Sequence, residues 1–151
     1  MGWAKAVPVN LDLIAEFQRE QLHRAAGAGD LARVCELLAA GYPVNRFDAL
    51  GKTPLHHAVA GEHFGVVDAL LRAGANVNAQ SVIGDTPLGE CAASCSLEMA
   101  KRLIDAGADP TIPGWMMLTA IDGARDRKRA DGRKVLALLK AAAASGVRTK
   151  R

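Results

Sequence analysis

Apolar pairs recur along this chain in one register: Leu37 with Leu38, Leu70 with Leu71 and Leu103 with Ile104 stand 33 residues apart, and Gly41, Gly74 and Gly107 follow at the same offset. Around the middle pair, Val66, Val67, Leu70 and Leu71 form an i, i+1, i+4, i+5 stripe, which lies on one face of a helix and needs a neighbour to cover it. A glycine just after such a stretch marks the left-handed residue that closes a helix. A second series keeps the same step, since Gly51, Lys52, Thr53, Pro54, Leu55 returns as Gly84, Asp85, Thr86, Pro87, Leu88. There a threonine can cap the first turn while proline takes the first helical position, where its missing N–H leaves nothing unsatisfied. Each period therefore predicts a short helix, a tight turn, a longer helix and a loop. Repeats of this length stack into a solenoid whose working parts are surfaces presented in rows.

The residues that carry the period resemble the ankyrin repeat. The best copy runs from Gly51 to Ala79 and shows Thr53, Pro54, Leu55, His56, Ala58, then Val66, Val67, Leu70, Leu71, Gly74, Ala75 and Asn76. A weaker copy precedes it with Leu22, His23, Ala25, Ala26, Gly29, Asp30, Leu37, Leu38 and Gly41, and another follows from Gly84 to Asp109. A last copy is degenerate: Thr119, Ala120, Ile121, Asp122 and Ala124 stand at the helix start, and its leucine pair, Leu138 and Leu139, comes about two positions late. The resemblance covers roughly residues 20 to 142. It implies an all-α solenoid of about four helix-turn-helix units, at 20–50, 51–83, 84–116 and 117–146, joined by short hairpin-like loops. It also assigns His56 and His23 to the structural histidine position and His63 to the start of a second helix.

An open stack exposes its end faces unless something covers them. Asn10 can cap a helix in which Leu11, Ile14, Phe17, Leu22 and Ala25 share one face, so residues 10–26 are expected to cover the N-terminal end, behind a flexible segment at 1–9. At the other end Arg125, Asp126, Arg127, Lys128, Arg129 and Asp131 suggest a polar cap with a lengthened turn. The domain is thus expected to span 10–146, with a frayed basic tail at 147–151.

Composition suits this picture: half of the 151 residues are apolar and only 4% aromatic, which favours a core of small interlocking side chains. No apolar run approaches a membrane span, and neither a secretory signal nor a myristoylation site with the required Ser or Thr (Ala6 stands there) is evident, so a cytoplasmic protein is expected. The alanine-rich composition is compatible with a bacterial source. Charge divides unevenly. Arg125 to Arg151 holds ten Lys or Arg against two Asp, a balance of +8, whereas the preceding 124 residues hold nine basic against fourteen acidic, a balance of −5. A basic end can attract nucleic acid or anionic lipid, but no interleaved aromatics, helix-turn-helix or zinc finger accompany it, so nucleic acid is disfavoured.

Enzyme chemistry finds little support. There is no phosphate loop or nucleophile elbow, and the histidines fall mainly on repeat positions. Cys35, Cys91 and Cys95 read as reduced, packed thiols; the spacing of Cys91 and Cys95 is not that of a zinc site, so neither metal nor cofactor is expected. Two classes of function remain. The resemblance implies a non-catalytic module that binds a protein partner, as adaptor, inhibitor or antidote-like regulator. The alternative is a basic accessory protein binding an anionic partner, nucleic acid or lipid, through Arg125 to Arg151.

The loops point to the first class. At equivalent points they carry Ala49 and Leu50, Val82 and Ile83, Trp115 and Met116, all apolar where the family usually shows polar residues, with Lys52, Asp85 and Leu118 just beyond. If these segments are extended, one member of each pair faces a neighbouring loop and the other faces solvent. Phe47, Ile112 and Met117 can widen the row, while His57 and Glu90, with Arg24, Ala28, Gly61 and Ser94, would form the floor beside it. The expected partner site is therefore Phe47, Ala49, Leu50, Lys52, His57, Val82, Ile83, Asp85, Glu90, Trp115, Met116 and Leu118. The expected state is a monomer, or a weak homodimer through the apolar patch.

Overall fold

The structure is a computed structural model that describes residues 17–149, the last three by backbone alone. Asn10, Leu11 and Ile14, and with them most of the expected covering helix, lie outside the described residues. Eight α-helices follow: α1 Gln21–Ala28, α2 Leu31–Ala39, α3 Pro54–Ala60, α4 Phe64–Arg72, α5 Pro87–Cys91, α6 Leu97–Asp105, α7 Ala120–Arg125 and α8 Gly132–Thr149. Glu20 turns the chain just before α1, so Phe17 and Leu22 do not share one continuous helix. Phe17 is exposed, with the Arg24 guanidinium 3.8 Å from its ring centre.

Short helices α1, α3, α5 and α7 stack on one another as an inner layer, and the longer α2, α4, α6 and α8 pack behind them. Threonine caps two of the inner helices, and Pro54 and Pro87 take the first position of α3 and α5. Thr86 Oγ1 accepts the Gly89 N–H at 3.0 Å, and Thr119 and Asp122 form a reciprocal capping box at α7. The longer helices of the first three units end alike. Gly41, Gly74 and Gly107 all have positive φ, with the Ala75 N–H reaching back to the Leu70 carbonyl at 3.0 Å and the equivalent bond repeated in the flanking units.

Between the layers lies one core. Leu22, Val34, Leu55, Val67, Leu70, Leu88, Met99, Leu103, Val135 and Leu139 have essentially no exposed surface. Asparagines tie the units laterally: Asn45 donates to the Gly74 carbonyl at 3.1 Å and accepts from Asn76 N–H, and Asn78 does the same for Gly107 and Asp109.

The outer helix of the fourth unit, α8, runs through Thr149, into the segment 147–151. The turn before it is partly enclosed. The Arg127 side chain has no exposed surface and donates to the carbonyls of Ala92 and Cys95 and to Asp131. The reason is local: α5 ends at Cys91, and the bend that follows leaves carbonyls pointing at the next unit, which a planar guanidinium can satisfy.

Candidate functional site

Three hairpin loops line one edge of the stack. In the first, Asp48 N–H donates to Lys52 O and Gly51 N–H to Asp48 O, both at 2.9 Å. In the second, Ser81 and Asp85 repeat the outer bond and Gly84 and Ser81 the inner one, and in the third Gly114, Leu118 and Met117 do so. Each loop is therefore a tight turn with a left-handed residue at its third position: Gly51 (φ 66), Gly84 (φ 83) and Met117 (φ 62). Met116 is left-handed too, at φ 53, which winds the last tip more tightly.

That geometry decides how the tips face. Residues 49–50, 82–83 and 115–116 lie in turns, not extended strands, so the expectation that one of each pair faces inward does not hold. Both members are exposed in every loop: Leu50 at 60%, Val82 at 71%, Ile83 at 49%, Trp115 at 61% and Met116 at 75%, with Ala49 exposed as well. Phe47, Met117 and Leu118 extend the apolar surface, while Ile112 is half-buried. Adjacent loops are tied by hydrogen bonds: Val82 N–H donates to the Leu50 backbone O at 3.2 Å, and Trp115 N–H to the Asp85 side-chain Oδ1 at 3.2 Å.

The polar members of the expected site prove to be engaged within the chain. Lys52 pairs with Glu90, joining the first loop to α5, and Asp85 holds the third loop. His57 is half-buried and bonds Asp48 Oδ2 at 2.8 Å, so it is a brace beneath the first loop as much as a groove side chain. Burial opposes ionisation of Asp48, but the bonds from His57 and from the N–H groups of Lys52 and Leu50 outweigh it and hold its carboxyl below the usual range. The second oxygen of Glu90 is buried with no hydrogen-bond partner. Arg24, Ala28, Gly61 and Ser94 are exposed as expected.

His56 and His23 are buried, in line with the structural position. Thr53 N–H donates to His56 Nδ1 and the opposite nitrogen bonds Asp85 O, both at 3.0 Å, which fixes the neutral ring with its proton on Nε2. Burial lowers the affinity of both rings for a second proton. His63 stands just before α4, where its side chain makes no cap bond to the helix and instead bonds Gly27 O in the preceding unit.

Cys91 and Cys95 are buried against each other at the wall of a 350 Å³ cleft on the inner layer, bordered also by Gly61, Glu62 and Glu90. Their shared hydrogen bond pushes the Cys91 thiol up and the Cys95 thiol down. Cys35 differs from the packed reading: it is exposed on α2. Among the described residues no group of three metal-ligating side chains gathers. Within the basic end Arg127 is enclosed and Arg129 donates to Ser94 O, while Arg133, Lys134 and Lys140 are exposed.

Among the described residues, no helix is long and apolar enough to cross a membrane. Compared with known families, residues 22–113 match ankyrin repeats in three copies, a span that ends before α7. Comparison with curated proteins finds no match.

Proposed function

Since the chain belongs to the ankyrin-repeat family, whose members generally mediate protein–protein interaction, we propose that it is a non-catalytic module that binds a folded protein partner through its loop row. The site comprises residues 47–52, 80–85 and 112–118, flanked by the inner-layer floor at Arg24, His57, Glu90 and Ser94. One observation carries the reading: both tip residues of all three loops are solvent-exposed and apolar. Contiguous apolar surface of this kind on a folded domain marks a contact. The partner's role fits an adaptor, an inhibitor or an antidote-like regulator, and the expected compartment is the cytoplasm.

Energetics agree with an apolar centre and a polar rim. Full burial of Leu50, Ile83 and Trp115 is worth about 1.5–3 kcal/mol apiece before association costs. Lys52 and Glu90 already neutralise one another, so they border the patch without demanding a charged partner.

Affinity capture from the native cell tests the proposal, comparing the intact chain with a Leu50→Asp, Ile83→Asp, Trp115→Ala variant. A partner lost with the variant supports the site, and one retained equally overturns it. The competing anionic-partner reading is tested with Arg133→Glu, Lys134→Glu and Lys140→Glu on the exposed face of α8. Truncation after Ala124 is unsuitable, because it removes the core residues Val135 and Leu139.

A further inference from the structure

The loop row is graded in size. Ala49 and Leu50 at one end are the smallest pair, Val82 and Ile83 in the middle are intermediate, and Trp115 and Met116 at the other end are the largest. Turned about a two-fold axis through the middle loop, the row meets itself with small opposite large at both ends and equal opposite equal at the centre. The combined bulk across the interface then stays even along its length, which is what close packing of two surfaces requires. A parallel pairing would instead set Trp115 against Trp115 and leave a gap at Ala49.

Charge and area allow the same arrangement. No tip residue in any of the three loops is charged, and the nearest ions, Asp48, Lys52 and Asp85, are held within the chain by His57, by Glu90 and by the Trp115 N–H. Two copies of the row therefore meet without like-charge repulsion. Leu50, Val82, Ile83, Trp115, Met116 and Met117 are 49–75% exposed, so six apolar side chains per copy are open to be covered, toward the lower size limit of a specific interface of about 1,200 Å² in total.

We infer that the loop row takes a second copy of this chain, in an antiparallel two-fold arrangement with Ile83 near the axis and Leu50 opposite Trp115 of the other copy. This rests on the reading of the row as a protein-binding site and names its occupant. A heterologous partner using the same row would then compete with the dimer.

Sedimentation of the purified chain alone tests the inference without reference to any other partner. The chain should pass from monomer to dimer with rising concentration, and Ile83→Asp, which places like charges together at the axis, should weaken dimerisation at least about a hundredfold. Mixing Ile83→Asp with Ile83→Lys should restore a mixed dimer, because only near a two-fold axis does position 83 face itself. In a Cys35→Ser background, Leu50→Cys and Trp115→Cys should cross-link when mixed and not separately. Melting curves of the variants, all at exposed loop tips, check that they fold. A chain monomeric to about 1 mM overturns the inference. So does a dimer indifferent to Ile83→Asp, or cross-linking of Leu50→Cys with itself. In the first case cellular capture still tests the site for another protein, whereas loss of capture specificity with the dimer intact would sink that broader use and leave self-association standing.

Discussion

Arg127 and Asp131 are joined at 2.8 Å across the loop between α7 and α8, and the guanidinium in that pair is wholly enclosed. Nη1 and Nη2 also donate to the carbonyls of Ala92 and Cys95, while Nε is buried without a partner, so one side chain closes the fourth unit onto the third. Replacement by Met keeps much of the volume but orphans the two carbonyls, at a cost of about 2–4 kcal/mol, while Asp131 keeps water and Arg129. Lys should rescue little, since an ammonium cannot reproduce the planar fork. Chemical denaturation of wild type, Arg127→Met and Arg127→Lys measures both; a loss no larger than that of exposed Arg133→Met would refute the plug.

Mild acid should loosen the stack through its buried histidines. His56 and His23 take up a second proton less readily in the fold than in the unfolded chain, whose histidines titrate near pH 6.5. The unfolded chain therefore binds more protons as pH drops below about 6.5, and stability present in full above that value falls toward the lower folded pKa. Carboxylates titrate further down. The Tm should hold above about pH 6.5 and decline below it, and His56→Gln, less stable overall, should show a shallower decline. Parallel curves for the two proteins would remove His56 from the account.

How much of this was legible in the residues depends on the range of the interaction. Thr53 with Pro54 and Gly74 with Ala75 declare helix starts and ends because capping acts within a few residues, and the 33-residue step then places the units. Asn45 and Asn78 stand on that same step, which is the signal for their bridging role. Arg127 carries no such mark: among five neighbouring basic and acidic residues, only the bend after Cys91 selects the one that is buried. The pairing of Lys52 with Glu90 likewise joins a loop to a helix 38 residues on, beyond the reach of any pattern. Exposure of both tip residues also depended on turn geometry, which Gly51 and Gly84 hint at and Met117 conceals.

Thiol chemistry should separate Cys35 from the other two. Cys35 lies open on α2, whereas Cys91 and Cys95 have almost no exposed surface. An aromatic disulfide reagent at neutral pH should titrate one thiol quickly in the native chain and all three after denaturation. Rapid native labelling of Cys91 or Cys95, located by peptide mass, would show that the cleft beside them opens far more than its packing suggests.

Met117 occupies the slot that Gly51 and Gly84 fill in the other loops, and its φ of 62° is strained for a residue with a side chain. Glycine there relieves a penalty of about 1–2 kcal/mol, partly offset by the greater freedom it gives the unfolded chain. Met117→Gly should therefore raise stability by about 0.5–1 kcal/mol. The same change removes a side chain that is 75% exposed at the end of the apolar row, so binding through the row should weaken even as the domain becomes harder to unfold. Denaturation and sedimentation of one preparation measure both effects. Opposite signs are expected if the strained methionine is kept for contact; a variant that loses stability would mean that Met117 packs against its own loop instead.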